Sequence, residues 1–219
     1  MALEEALFIS VIKSRQPLIR IWENISPCIY LGIGKKYAQE VFLDKCQKDN
    51  IPVIRRFSGG GTVYQDKGSI NISFILPLEK FSEFKNINNS YKEIHKIFCK
   101  ILNTDKLILK GTSDFCINNK KISGNAQARR HNTLLHHGTI INNMNIKNIE
   151  QYLKLPQETP EYRKNRGHLE FLTSLKKENV NINLFTDYPK DMPTQEEKQI
   201  ADNLLKEKYT NNIKWNFKL

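Results

Sequence analysis

The chain has 219 residues, 39% hydrophobic and 26% charged, enough to bury a core for one domain with ordinary water-exposed composition. No apolar run approaches the roughly 20 residues that cross a bilayer, and the opening MALEEALFIS lacks a basic leader region, so a cytoplasmic protein without membrane or export segments is expected. The formal net charge of +11 invites an anionic partner, but Lys and Arg are scattered without a nucleic-acid motif, so no nucleic-acid role is expected.

Residues 2–13 place Leu3, Ala6, Leu7 and Val11 on one side of a helix. Short strands are expected at 18–22 and 29–33, separated by the turn-like Asn24-Ile25-Ser26-Pro27. A second helix spans 38–48 and stops at Asp49-Asn50, before Pro52. A strand at 53–57 enters a glycine loop, and 70–76 alternates as a strand ending at Pro77. A long helix is predicted over 82–102, followed by strands at 107–109, 115–117 and 134–142. Residues 146–153 and 194–209 read as helices, the second opening on the capping-box pattern Thr194-x-x-Glu197. A strand at 213–217 closes the chain. This order is not a regular βαβ alternation and predicts an α+β fold with a mixed, mainly antiparallel sheet flanked by helices.

The four cysteines (Cys28, Cys46, Cys99 and Cys116) form no C-x-x-C pair and do not cluster with histidine, which reads as reduced thiols and not as a disulfide or zinc framework. Three stretches carry chemistry. In Arg55-Arg56-Phe57-Ser58-Gly59-Gly60-Gly61-Thr62-Val63-Tyr64, three glycines after a strand cost backbone entropy, so a close approach or an unusual dihedral must offset it. Without β-carbons such a loop exposes N–H groups to anionic oxygens, and Arg56 has the fork of donors that pairs with phosphate or carboxylate. The bland alternative is a glycine-rich turn at a strand edge, and neither common nucleotide fingerprint is present. In DFCINNKKISGNAQ (114–127), Asn118-Asn119 marks a turn, and alternation sends one of Lys120 and Lys121 inward. An inward lysine suits developing negative charge in acyl or phosphoryl transfer, although a lone strand lysine is more often simply solvated. In LHHGTII (135–141) the adjacent His136 and His137 face opposite sides, so they do not form a two-ligand metal site.

Together RRFSGGGTVYQD (55–66), KKISGNAQ (120–127) and LHHGTII (135–141) resemble the lipoate-protein ligase family, within the wider biotin/lipoate ligase catalytic fold. MALEEAL is similar to that family's first helix, and PEYRKNRGHLEFLTSL (160–175) resembles a segment of one ligase-like subgroup. The resemblance implies one class II synthetase-like catalytic domain over residues 1–219, without a C-terminal accessory domain. It implies activation of lipoate by ATP with Mg2+ to lipoyl-AMP, then transfer to a lysine of an acceptor lipoyl domain, expected to be acidic. A small separate accessory subunit is a further implied partner.

By motif, Lys121 matches the catalytic lysine, and Arg56, Ser58, Gly59, Gly60 and Gly61 match the acyl and phosphate path. Thr62, Val63 and Tyr64 match positions facing the adenylate, and Asp114 matches an acidic position near the nucleotide. Ser123, Gly124, Ala126 and His137, with Gly138 and Thr139 beside it, match the pocket lining. The sequence departs from the pattern at Gln65 (often histidine), Ser69 (commonly asparagine, with Asn71 a candidate to supply the amide) and Ala128 (an arginine, with Arg129 or Arg130 the candidate substitutes). An N-terminal strand common among relatives is not expected. The alternatives are octanoyl or lipoyl transfer between carrier proteins, which needs a cysteine nucleophile and finds Cys116 and the other thiols misplaced, and a non-catalytic lipoate-binding module. Biotin transfer fits the fold but not the RRFSGGG and HHG pattern as well.

Overall fold

A computed structural model describes residues 1–182, 191–210 and 213–217. Helix α1 (Ala2–Ser14) leads into β1 (Leu18–Glu23) and β2 (Cys28–Leu31), then the short helices α2 (Tyr37–Glu40) and α3 (Leu43–Lys48). Strands β3 (Val53–Arg55), β4 (Val63–Gln65) and β5 (Ser69–Pro77) precede α4 (Ile87–Ile101). Then come β6 (Ile108–Lys110), β7 (Asp114–Ile117), β8 (Lys120–Arg130) and β9 (Thr133–Ile141), followed by α5 (Lys147–Tyr152) and α6 (His168–Phe171). The last described helices are α7 (Gln195–Leu204), continued by a wider turn over Leu205–Thr210, and α8 (Ile213–Asn216).

The six-stranded sheet runs β1-β5-β9-β8-β7-β6 with every neighbour antiparallel, and a small sheet β3-β2-β4 contains the one described parallel pair, β2 with β3. This is the α+β, mainly antiparallel architecture expected from the order of elements. Every residue of β5 is buried, although its sequence alternates, because its polar Asn71 and Ser73 line a small cavity on the other face of the sheet. One face of the large sheet, with Ile72, Phe74, Leu134, Ile140, Phe115 and Ile122, packs beneath Ile94 and Phe98 of α4. Asn86 caps α4 by accepting from the Asn89 N–H at 2.9 Å, so the helix starts later than residue 82. On the opposite face Ile75 and Leu135 pack against Leu7, Phe8 and Val11 of α1, and Asn71, Ser73, His137 and Thr139 line that cavity. No helix among the described residues is long and apolar enough to cross a membrane.

His136 shows what α4 covers. It is fully buried between the edges of Phe74 and Tyr91, and Gln127 Nε2 donates to its Nδ1 at 3.1 Å. Burial, followed by the positive charges of His137 and Arg129, pushes its pKa down to about 3. The unfolded chain therefore takes up a proton near pH 6.5 that the folded chain refuses. Stability from the neutral ring is complete above pH 6.5 and is lost as pH falls towards 3, at about 1.4 kcal/mol per pH unit. Urea unfolding between pH 4 and 7 should show this slope, and His136→Gln should flatten it; an unchanged slope would remove His136 as its source.

Three elements of this fold differ from expectation. The helix expected at 38–48 is broken at Val41-Phe42, because Val41 bridges Leu153 and the Phe42 N–H donates to the Tyr152 carbonyl at 2.9 Å. The strand expected at 213–217 is the helix α8, held against β3 where the Arg55 N–H donates to Asn216 Oδ1 at 3.0 Å. Strand β4 was not expected at all, since its three residues are too few to show alternation.

Candidate active site

The glycine loop between β3 and β4 is braced from both sides by the two arginines before it. Arg55, buried, donates from Nη1 to the carbonyls of Gly32, Ile33 and Lys35 and from Nε to Trp215. Arg56, also buried, donates from Nε to Ser58 Oγ at 3.0 Å and from Nη1 to the Tyr30 carbonyl at 3.2 Å. Its Nη2 donates to the carbonyls of Gly59 and Gly61 at 2.6 and 2.7 Å, drawing the loop around the guanidinium. Burial lowers the Arg56 pKa to about 10, which leaves it charged at neutral pH. Gly60 has φ +87, a conformation that costs glycine little. The loop also rests on β2's end so closely that a Cβ on Gly32 would lie 2.0 Å from the Gly60 oxygen.

The β7–β8 hairpin turns at Asn118 and Asn119, both at positive φ (49° and 62°), the dihedrals of a tight two-residue hairpin turn. A register shift follows, so that Cys116 faces Lys121 while Phe115 faces Ser123. This bulge turns Lys121 out of simple alternation and onto the face of Asp114 and Gly124. Lys120 is exposed, whereas Lys121 Nζ lies 2.8 Å from Asp114 Oδ1, with side chains 25% and 13% exposed. The Tyr162 hydroxyl donates to Asp114 Oδ2 at 2.7 Å, so both carboxylate oxygens are held. A Cβ on Gly124 would stand 3.0 Å from Lys121 Nζ; the glycine leaves the space that the ammonium occupies.

From α1, the fully buried Glu4 reaches the same face. Its Oε2 lies 2.9 Å from His137 Nδ1, its Oε1 accepts from Ser73, and His137 Nε2 lies 2.6 Å from Ser58 Oγ. Burial alone would raise the Glu4 pKa, but His137 and the Ser73 hydrogen bond hold it at about 2. The spacing resembles a Ser-His-Glu triad, yet Ser58 is buried and already accepts from Arg56. The array therefore connects α1 to the glycine loop and does not present a nucleophile. Beside it, Gln65 Nε2 donates to Asn71 Oδ1 at 2.8 Å and Thr139 Oγ1 at 2.6 Å, while Asn71 Nδ2 returns a bond to Gln65 Oε1 at 3.0 Å. The glutamine thus lies in an uncharged network with the Asn71 amide and the Thr139 hydroxyl.

Two cavities meet at Lys121. The smaller, about 150 Å³, is lined by Arg56, Gly60, Gln65, Asn71, Ala126, His137 and Gly138, among others. The larger, about 270 Å³, has Tyr64, Ser123, Ile141 and Leu153 on one side and the 154–172 segment on the other. Gly61, Thr62, Val63, Asp114, Lys121, Gly124 and Thr139 line both. Ser58 and Gly59 line neither, standing one step behind the wall. Arg129 is tied to Lys85, Ser90 and Gln127, and Arg130 lies over Phe57; neither lines either cavity.

Residues not singled out from the sequence complete the walls: Glu4, Trp22, Ser73, Asn125, Arg163 and His168. Glu4 had a signal, since it shares the apolar stripe of Leu7, Phe8 and Val11, where a carboxylate needs a partner. All four cysteines are free, and none lines either cavity at Lys121. Burial raises the Cys116 thiol, whose Sγ lies 3.6 Å from the Tyr162 hydroxyl. Among the described residues no group of three His, Cys, Asp or Glu side chains could hold a metal ion.

A model of the lipoyl protein ligase A/B catalytic domain matches residues 1–190. A probable lipoate-protein ligase A of Mycoplasma pneumoniae is 34% identical over 157 residues, which is 70% of this chain and 45% of that protein. An octanoyltransferase of Clostridioides difficile is 31% identical over 183 residues, 74% of this chain and 66% of its own. A solved bipartite lipoate protein ligase from Thermoplasma acidophilum, studied with its E2 lipoyl domain, shares the fold at a TM-score of 0.81 and 23% identity, over 99% of this chain and 89% of that one. The chain thus spans less than half the length of its mycoplasmal relative.

Proposed function

The chain belongs to the lipoyl protein ligase A/B catalytic-domain family, and from that membership we propose that it converts lipoate and ATP to lipoyl-AMP and passes the lipoyl group to a lysine of an acceptor lipoyl domain. The observation that carries this reading is the single ammonium of Lys121 at the junction of two cavities. In the first step a lipoate carboxylate oxygen attacks the α-phosphorus, and the bond to pyrophosphate breaks. The smaller cavity takes the acyl group and the larger takes the nucleotide, so the new anhydride forms beside Lys121. There the ammonium faces the charge that builds on the phosphate oxygens. In the second step the acceptor amine attacks the carbonyl carbon, an amide forms, AMP leaves with the electron pair of the broken C–O bond, and the amine gives up a proton. Arg56, with its hydrogen bonds turned to backbone carbonyls, fixes the shape of the glycine loop under the reacting groups.

Residues 1–219 would act as one catalytic domain, in the cytoplasm, where the four cysteines stay reduced. Asp114 faces both cavities, but Lys121 and Tyr162 occupy its oxygens, so magnesium would ride chiefly on the nucleotide's phosphates. The net charge of +11 suits an acceptor with an acidic surface. A transferase working through a cysteine thioester is disfavoured by the absence of any thiol on the walls around Lys121.

Lipoate-dependent exchange of labelled pyrophosphate into ATP tests the reading, and the purified chain is expected to support it. If exchange fails while synthetic lipoyl-AMP still modifies a lipoyl domain, adenylation requires the separate accessory subunit. If neither occurs in a folded protein, the ligase reading is wrong.

A further inference from the structure

The stretch PEYRKNRGHLEFLTSL, which the steps above leave without a role, forms part of the outer wall of the larger cavity and is fastened to Lys121 itself. Thr173 N–H donates to the Lys121 carbonyl at 3.0 Å, and Leu172 bridges Lys121 in parallel register. Within this wall Arg163 is only 5% exposed and lines the cavity. Its Nε donates to the Arg166 carbonyl at 2.9 Å, and its guanidinium lies 4.6 Å from the centroid of the Phe171 ring. Its Nη2 has no hydrogen-bond partner among the described residues. Thr62 Oγ1 and Ser123 Oγ, which line the same cavity, are also without partners.

A buried N–H of a guanidinium left without an acceptor is costly, and more so because Arg163 has no carboxylate within salt-bridge distance among the described residues. Lys121 is matched by Asp114 and Lys154 Nζ donates to the Ala38 carbonyl at 2.7 Å, whereas Arg163 keeps a buried N–H group unmatched in this cavity. Two unsatisfied hydroxyls and a planar fork of N–H groups call for an anion rich in acceptor oxygens, the chemistry of a phosphate. We infer that Arg163 is a nucleotide-binding residue, its Nη2 donating to a phosphate oxygen in the larger cavity while Lys121 serves the carboxylate–phosphate junction. The inference rests on the acyl-adenylate reading and adds to it a second cation, from a segment outside the three motifs.

The test is equilibrium binding of ATP, AMP, adenosine and lipoate to the full chain and to Arg163→Gln and Arg163→Lys. Losing a hydrogen bond to a charged group should weaken ATP and AMP about 10- to 100-fold in Arg163→Gln. Adenosine and lipoate should bind as they do to the parent, and Arg163→Lys should recover part of the phosphate-dependent affinity. Unchanged lipoate binding and thermal unfolding show that the variants fold. Should Arg163→Gln misfold, the comparison is read on Arg163→Lys alone, which keeps the charge and loses the fork. Parent-like ATP affinity in a folded variant, or an equal loss for adenosine, would overturn the role of Arg163 and leave the ligase reading standing. If the parent binds lipoate but no nucleotide, the role of Arg163 falls, and the ligase reading is decided by the exchange and lipoyl-AMP transfer assays above.

Discussion

Replacing Lys121 with alanine should slow lipoyl-AMP formation by about a hundred- to a thousandfold, the scale on which one oriented donor stabilises transition-state charge. Among the described residues no other cation lines both cavities, and Arg56 in the smaller one is spent on loop carbonyls. The change also strands Asp114, which keeps its bond from Tyr162 but loses its counter-ion. A stability loss of about 1–3 kcal/mol should follow. Lys121→Ala combined with Asp114→Asn removes that penalty and should regain stability without regaining activity. The check is pyrophosphate exchange beside urea unfolding for both variants. Full exchange in folded Lys121→Ala would remove the central residue assignment.

Gly32→Ala should damage the site from a position that lines neither cavity. The new Cβ would stand 2.0 Å from the Gly60 carbonyl oxygen and 3.3 Å from that of Gly61. These are backbone atoms and cannot rotate away. The loop would have to lift, straining the bonds by which Arg56 gathers Gly59 and Gly61. Overpacking of this kind costs about 1–3 kcal/mol, and lipoate and ATP should both bind at least about tenfold more weakly because the loop walls both compartments. Gly34→Ala is the control, since a Cβ there meets nothing within 4 Å. Equal lipoate affinity in the two variants would show that the loop tolerates displacement.

The sequence made the outer frame legible and the inner connections less so. Strands β5 and β9 announce themselves by length and apolar content, and the Thr194–Glu197 capping box forms as its spacing suggests. The opposite facing of His136 and His137 follows from strand period alone: one sits beneath α4, the other faces the smaller cavity. The failures are short or tertiary. Residues 213–217 fit either period, and the side chain of Asn216 against the Arg55 backbone goes with helix. The bulge that aims Lys121 depends on a cross-strand register that no local pattern reveals. Arg163 was not singled out from the sequence, because its burial beside Phe171 is a tertiary feature that no local pattern reveals.

The bridge from Lys121 to Leu172 and Thr173 also bears on how the chain is made. Strand β9 first meets β8 opposite Ser123, so Lys121 lies beyond its cover, and the late segment fills that edge. On a ribosome moving at roughly 5–20 residues per second, Leu172 and Thr173 emerge several seconds after the lysine. During that interval the hairpin can fold, but the compartment beside it has no outer wall. A nascent chain would therefore be unable to shelter a reactive anhydride from water until residues 172 and 173 had been made and had closed that wall.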